Sequence, residues 1–168
     1  MENRLYIGID NGVTGTVGCL YNNKSWFFET PTKKEQNYTK TKANISRIDH
    51  LQLMQKLSEV IAECENLESI MCLIERPMVN STRFQATTSA LRALESTLVV
   101  LEILNIPIQF EDSKKWQKLL LPSGSEKEQL KEDSKTIGKR LFPQHSTLIE
   151  KHKDADGLLL AEYCRRIF

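Results

Sequence analysis

The sequence lacks the marks of a membrane-spanning, secreted or repetitive chain. No run of about 18 apolar residues occurs, so we expect no membrane-spanning helix. The N-terminus MENRLYIGIDNG has no apolar segment ending in a small-residue cleavage site, so we expect no signal peptide. Internal repeats and low-complexity segments are also missing. These absences favour a protein that works in the cytoplasm.

Cysteine and net charge are scarce as well. The four cysteines, Cys19, Cys64, Cys72 and Cys164, form no CxxC pair and have no clustered histidines beside them, so neither a disulfide framework nor a zinc site is expected. Lys and Arg number 23 against 22 Asp and Glu, a formal net charge of +1. Any affinity for nucleic acid must therefore come from local patches.

What is present is the composition of a globular domain. The 168 residues fit one domain, because domains usually contain about 100–200 residues. With 40% hydrophobic and 27% charged residues, the chain can bury a core. We therefore predict a single domain over residues 1–168.

Five short segments rich in β-forming residues predict a sheet. Residues 4–10, 15–21 and 24–29 are separated by the turn sequences NGVT and NN, which predicts three neighbouring antiparallel strands. Residues 69–75 form a continuous apolar run, typical of a strand buried on both faces. Residues 106–111 predict the fifth strand.

Helical periodicity alternates with the later strands. Apolar residues from Leu53 to Cys64 recur at i, i+4 and i+7, which predicts a helix that ends near Asn66. Further helices are predicted at residues 90–101, 113–120, 125–141 and 153–166. The third of these would begin at a capping box of Ser125 and Glu128. The order predicts an α/β fold with a five-stranded mixed sheet, three antiparallel strands and then alternating strands and helices, flanked by helices.

Residues 31–46 show no apolar periodicity and predict a long basic loop. The segment carries Lys33, Lys34, Lys40 and Lys42. Loops of this length inside a compact domain are usually functional or disordered.

Three acidic residues stand where a sheet edge could bring them together. Asp10 follows the first strand, Glu75 ends the fourth, and Asp156 lies in the first turn of the last helix. Singly, each has an ordinary explanation: a turn cap, a partner for a helix lysine, and a helix cap. Together, unpaired carboxylates on adjacent strands and a covering helix would repel one another strongly.

A divalent cation would relieve that repulsion. Oxygen-rich sites suit Mg²⁺ or Mn²⁺, and two such ions about 3.5–4 Å apart can clamp both oxygens of a phosphodiester displacement. On the last helix, His152 and Asp156 share a face by their i, i+4 spacing, whereas Asp154 points away. The spacing thus allows His152 to join the three acids.

Several motifs recur in order along the chain. They are IGIDNG at 7–12, LIERP at 73–77, NIP at 105–107, KWQK at 115–118, RLFP at 140–143 and ADGLLLAEY at 155–163. In this order and spacing they resemble the RuvC-type Holliday-junction resolvases, particularly the phage-like members, over essentially the whole chain. Two positions depart from the family pattern, since Asp10-Asn11 stands for Asp-Pro and Asp156-Gly157 stands for Asp-Ala.

The resemblance implies an RNase H-like fold, a homodimer, and paired nicking of four-way DNA junctions that leaves 5′-phosphate and 3′-hydroxyl ends. It implies two Mg²⁺ ions per site, with Mn²⁺ able to substitute. Asp10, Glu75 and Asp156 match the family's metal-binding acids, and His152 takes the fourth ligand position. It also implies a cytoplasmic protein, associated with a nucleoid or acting in a phage- or virus-infected cell, with no membrane or small-molecule partner.

Cations and one aromatic residue are the candidate DNA contacts, because cations neutralise phosphates and an aromatic ring stacks on an unpaired base. These candidates are Lys33, Lys34, Lys40, Lys42, Arg83, Phe84, Lys114, Lys115 and Lys118. Each lysine is also explained as a solvated surface charge. Trp116, between the last three, is more typical of a core position.

Three alternatives remain open. The segment IGIDNGVTGT also resembles the first phosphate loop of the actin and sugar-kinase superfamily, but those proteins need a second, similar domain, for which 168 residues leave no room. The other two keep the fold: an RNase H-like nuclease acting on RNA, flaps or forks, and a junction-binding protein with an incomplete site.

Overall fold

The chain folds around two sheets and six α-helices in the computed structural model, which describes residues 3–37, 39–124, 126, 128–152 and 154–168. The strands are β1 (Arg4–Ile9), β2 (Thr16–Tyr21), β3 (Lys24–Glu29), β4 (Thr32–Gln36), β5 (Asn44–Ile48), β6 (Ser69–Glu75) and β7 (Ile108–Glu111). The helices are α1 (His50–Ala62), α2 (Phe84–Ile103), α3 (Ser113–Leu120), α4 (Leu130–Leu141), α5 (Ser146–His152) and α6 (Asp156–Ile167), with a 3-10 turn at Pro143–His145.

Five strands form the central sheet in the order β3-β2-β1-β6-β7. The first three strands pair antiparallel, whereas β6 pairs parallel with both β1 and β7. The predicted α/β fold with a five-stranded mixed sheet is therefore confirmed. The parallel register sets Ile9 beside Ile74, so the residues that follow them, Asp10 and Glu75, meet at one edge of the sheet.

Alternating strand side chains divide the core into two layers. Leu5, Ile7 and Ile9 of β1 are buried together with residues of α1 and α2 on one face of the sheet. On the other face, Leu73 of β6 and Trp116 of α3 belong to a second cluster that includes most of α6. Helices thus cover both faces of the sheet. The end of β1, which Asp10 follows, lies between the two helical layers.

The start of α6 packs against bare sheet backbone. A Cβ atom on Gly18 would lie 2.5 Å from the Gly157 carbonyl oxygen, and a Cβ on Gly157 would lie 2.7 Å from the Thr16 carbonyl oxygen. The Gly157 N–H donates to Thr16 Oγ1 at 3.0 Å. The departure from Asp-Ala to Asp156-Gly157 therefore has a structural reason, because glycine lets the helix touch β2.

Most of residues 31–46 form a hairpin, so the prediction of a long loop is wrong. β4 and β5 pair antiparallel in a separate two-stranded sheet. Ion pairs link the hairpin: Glu35 contacts Lys33 at 2.9 Å and Arg47, across the pair, at 2.5 Å. Hydrophobic alternation marks strands that bury one face. β4 and β5 contain only two apolar residues, Ile45 and Ile48, and only Ile48 is buried in the core.

The last helical region is divided. α5 ends at His152 and α6 begins at Asp156, so these two residues do not share one helix. α4 begins at Leu130. The predicted capping box cannot be compared with it, because Ser125 lies outside the described residues.

All four cysteines are buried free thiols. Within the described ranges, no helix combines the length and the apolarity needed to cross a bilayer.

Candidate metal centre

Three aspartates converge where β1 and β6 end beneath the start of α6. Asp10 directly follows β1, and its N–H donates to the Thr16 carbonyl oxygen at 3.0 Å, which closes the turn to β2. Asp156 is the first residue of α6, and Asp154 lies in the break before that helix. Each offers a carboxylate oxygen, and these oxygens lie within 4.8 Å of one another. Glu75, the last residue of β6, is close enough that its charge raises the pKa of both Asp10 and Asp156.

Neutral donors hold three of the four carboxylates. Ser134 Oγ donates to Asp156 Oδ1 at 2.5 Å, and Trp116 Nε1 donates to Glu75 Oε2 at 2.9 Å. Thr16 Oγ1 lies 3.4 Å from Asp154 Oδ1. Ser134 and Trp116 are fully buried, so these contacts orient the carboxylates without neutralising them.

Burial and mutual repulsion favour the protonated forms of these acids. Burial, then the charges of Asp156, Glu75 and Asp154, raise the pKa of Asp10 well above its usual range. Burial raises the pKa of Asp156 to about 7, and Asp154 and Glu75 add to that shift. Burial also raises the pKa values of Glu75 and Asp154, although the Trp116 hydrogen bond opposes the shift at Glu75.

The donor set fits a hard divalent cation. Lys131 lowers the pKa of Asp10, Asp154 and Asp156, but within the described residues no lysine or arginine forms an ion pair with any of them or with Glu75. Buried carboxylates without a counter-charge are costly, and carboxylate oxygens are the ligands that Mg²⁺ and Mn²⁺ prefer. Asp10, Glu75, Asp154 and Asp156 together offer such oxygens.

The prediction that Asp154 points away from the other acids is wrong. That prediction assumed one continuous helix through residues 152–156. Instead, α5 ends at His152 and α6 begins at Asp156. Asp154 lies between the two helices and is turned inward, where it is 7% exposed. The break also changes the place of His152. Its ring packs edge-on against Phe27, and its Nδ1 contacts Glu29. The structure therefore brings together Asp10, Glu75 and Asp156, and adds Asp154 rather than His152.

The candidate DNA contacts fall into three places. Lys33 and Lys34 lie on β4, and Lys40 and Lys42 lie in the turn between β4 and β5. Lys114, Lys115 and Lys118 lie on α3, where Lys115 pairs with Glu111 at 3.0 Å. Arg83 and Phe84 lie at the start of α2. Arg83 lines a pocket of about 320 Å³ that also has Asn11 and Glu75 in its wall. Trp116 is buried as expected of a core residue, and its indole points to Glu75.

Sequence reasoning missed several residues of this region. Asp154 stands two residues before Asp156, and an acid just before a helix start is a common signal of a helix boundary. Two exposed apolar side chains, Met78 and Val79, follow Glu75 closely in the sequence and resemble no core pattern. Ser134 carries no sequence signal, because its contact with Asp156 exists only in the folded chain.

Comparisons with known proteins identify the fold. No protein-family model and no curated protein matches the sequence. Among solved structures, RuvC of Thermus thermophilus in complex with a Holliday junction substrate matches with a TM-score of 0.53 and 14% identity, over 97% of this chain and 96% of that chain. Another structure of the same RuvC matches with a TM-score of 0.54 and 14% identity, over 96% of each chain. The chain therefore has a RuvC-like α/β fold.

Proposed function

We propose that this chain is a divalent-cation-dependent endonuclease that cuts four-way DNA junctions. The observation that carries the proposal is the group of crowded, buried or half-buried carboxylates without an ion-paired cation among the described residues, at the shared edge of β1 and β6 in a RuvC-like sheet. Such a group is unfavourable without a cation and well suited to holding one. The solved relative with a junction substrate supports the choice of branched DNA.

Asp10, Glu75, Asp154 and Asp156 are the proposed ligands of Mg²⁺ or Mn²⁺, at two ions per site. When bound, the ions supply Lewis-acid chemistry, which lowers the pKa of water and stabilises charge on the reacting phosphate. Asp10 is the proposed central ligand, because its carboxylate lies with those of Asp154 and Asp156 and the strand register places it beside Glu75. Asp154 takes the place that the family resemblance gives to His152, since His152 is held by Phe27 and Glu29 instead.

The start of α2 is the proposed contact with the branch point. Phe84 is 75% exposed and Met78 is 76% exposed, which is unusual for large apolar side chains on a folded protein. Arg83 stands beside them and shares a pocket wall with Glu75. An exposed ring can stack on an unpaired base while the guanidinium neutralises a phosphate, so the scissile strand would be held next to the carboxylates.

Two copies of the chain would form the active nuclease. The solvent side of α2 exposes Leu91, Val99 and Ile103, and the edge strand β7 exposes Phe110. Covering these side chains would bury apolar surface and an open sheet edge. A two-fold dimer would present two cut sites to a two-fold symmetric junction.

A panel of DNA substrates tests the proposal. Purified protein is incubated with Mg²⁺ and a four-way junction, a fork or a linear duplex of matched sequence. We expect cleavage of the junction, little cleavage of the duplex, and none in EDTA. Cutting of forks in preference to junctions would replace junction resolution with fork cleavage, and no cutting of any substrate would contradict the nuclease proposal.

The pairing of cuts tests the dimer. A cruciform on a supercoiled plasmid should yield linear product, because the second cut is made before the complex dissociates. Sedimentation should give about twice the chain mass of 19.3 kDa. Nicked circles made by a monomer would contradict paired cleavage while leaving the metal-dependent site in place.

A further inference from the structure

A pocket of about 260 Å³, with both polar and apolar side chains in its wall, lies between the hairpin and α2, apart from the carboxylate group. β5 contributes Ser46 and Arg47 to its wall, and α2 contributes Ser89, Arg92 and Ser96. The three α2 residues recur at i, i+3 and i+7, so they share one side of the helix. Two guanidinium groups and three hydroxyls thus surround one small space.

Arg92 is the unusual member of this pocket. Its Nε atom is buried and has no hydrogen-bond partner in the described structure. No carboxylate of the described residues forms an ion pair with its guanidinium either. A buried donor without an acceptor costs free energy, and a guanidinium is well matched to anionic oxygens. Arg92 therefore lacks an acceptor that an anion would supply.

Arg47 is fixed in a different way. Its Nη1 pairs with Glu35 at 2.5 Å across the hairpin, so the ion pair orients the side chain at the pocket wall. Glu95 also lines the pocket, but it is exposed and contacts neither arginine as an ion pair. No aromatic ring belongs to the lining, so the pocket offers nothing on which a base could stack. Its chemistry fits a phosphate group.

The pocket is a neighbour of the metal centre. Val13 belongs to its wall and lies in the turn that begins with Asp10. Asn11, in the same turn, donates from Nδ2 to the Ala90 carbonyl oxygen of α2 at 3.2 Å. The turn therefore links the carboxylates to the wall of the pocket and to α2.

We propose that this pocket binds a backbone phosphate of the nucleic-acid strand that lies across the carboxylate group, with Arg92 as the main ligand. The inference rests on the proposed function and adds a second anchoring point for the strand, on the hairpin side of the cut. Arg92 and Glu95 act in opposite directions, because one attracts the phosphate and the other repels it.

Two measurements test the pocket on the full chain. Inorganic phosphate is titrated while the Arg92 Nε–Hε resonance is followed by NMR, and junction binding is measured in EDTA over a range of salt concentrations. The variants are Arg92→Gln, Glu95→Gln and, as a control for loss of one charge, Arg140→Gln on α4, which is exposed. Thermal unfolding of each variant checks the fold.

Phosphate should shift the Arg92 resonance in a saturable manner. Arg92→Gln should weaken junction binding and reduce the slope of log affinity against log salt by about 0.9, because one phosphate is no longer neutralised. Glu95→Gln should tighten phosphate binding, and Arg140→Gln should leave the slope unchanged. If Arg92→Gln does not fold, Glu95→Gln carries the test, because it leaves Arg92 in place.

Three results would overturn the inference. They are an Arg92 resonance that phosphate does not move, a Glu95→Gln variant that binds phosphate less tightly, and an Arg92→Gln variant with the wild-type salt slope. If Arg92→Gln keeps the wild-type salt slope although phosphate shifts the Arg92 resonance of the wild-type protein, the pocket binds a free anion and not the nucleic-acid backbone. If the wild-type protein cuts junctions and the salt slope of Arg92→Gln equals that of the wild type, only this inference fails. If it neither binds nor cuts them, the proposed function fails as well.

Discussion

The carboxylate group at the edge where β1 and β6 end and the hairpin of β4 and β5 differ in how their charges are compensated. At the edge, carboxylate oxygens of Asp10, Asp154 and Asp156 lie within 4.8 Å of one another, with no ion-paired cation among the described residues. Buried hydroxyl groups contact Asp154 and Asp156. On the hairpin, Glu35 is paired with both Lys33 and Arg47 in partly exposed positions. The carboxylates at the edge therefore repel one another unless a cation or a proton is added, whereas the one acid of the hairpin strands already has cationic partners.

Because of this difference, substitutions in the two regions should affect different properties of the protein. Changes at the buried edge should alter cation binding, pH dependence and rate, because the carboxylates act at short range in a poorly solvated place. Changes on the hairpin should alter DNA binding and its salt dependence, because exposed charges are screened and act over longer distances.

Asp10→Asn should produce the largest effect. The change removes the charge of the central carboxylate and keeps its shape, so cleavage should fall at least about hundredfold while junction binding remains. Gel assays of cutting and binding on the same junction measure both. An Asp10→Asn variant that cuts at nearly the wild-type rate would contradict the role of the carboxylates in the chemical step.

Trp116→Phe should weaken cation binding by about tenfold and shift the pH profile. The indole donates to Glu75 and lowers its pKa, so without it the pKa of Glu75 should rise further. The acidic limb of the rate profile should therefore move to higher pH. Trp26→Phe is the matched control, because the Trp26 indole, on the edge strand β3, donates to Glu63 at the end of α1 at 3.2 Å. Equal profiles for the two variants would remove Trp116 from the site.

Asp156→Asn should stabilise the cation-free protein above neutral pH. The pKa of Asp156 is raised from 3.8 to about 7, so the folded state binds its proton more tightly than the unfolded state does. The wild type therefore loses stability as pH rises from 3.8 to about 7, and the variant avoids that loss.

Thermal unfolding in EDTA should show the variant melting a few degrees above the wild type at pH 8, about what a 1–2 kcal/mol gain produces. At about pH 3.5 the two should melt alike, because the carboxyl group is then protonated in both states. Glu102→Gln, an exposed change on α2, should not differ from the wild type at either pH. Mg²⁺ should reverse the order at pH 8. A wild type that is more stable than Asp156→Asn in EDTA would contradict repulsion among the carboxylates.

Hairpin lysines should give the smallest effects. Lys40→Ala with Lys42→Ala should reduce the salt slope of junction binding by up to about 0.9 for each phosphate that is no longer neutralised, without changing the rate at saturating protein. Lys33→Ala should change the slope less, because Lys33 is paired with Glu35. A slower rate at saturation in the double variant would place the hairpin in the chemistry.

The sequence predicted those parts of the molecule that depend on local pattern. Apolar runs located the five strands of the central sheet. The parallel pairing of β1 with β6 then places Asp10 beside Glu75. The hairpin was not predictable from hydrophobicity, because its strands are joined by charge pairs such as Glu35 with Arg47. Asp154 was missed because its position depends on a helix break before Asp156, which an i, i+4 argument across the break cannot detect.

Junction cleavage in Mg²⁺ by Asp154→Asn and His152→Gln, measured side by side, distinguishes the two candidates for the fourth ligand. The carboxylate group includes Asp154 and leaves His152 against Phe27 and Glu29. Asp154→Asn should therefore lose most activity at limiting Mg²⁺ and recover part of it at high Mg²⁺. His152→Gln should cut at nearly the wild-type rate once its folding has been confirmed by thermal unfolding. An active Asp154→Asn together with an inactive, folded His152→Gln would contradict the assignment of the fourth ligand.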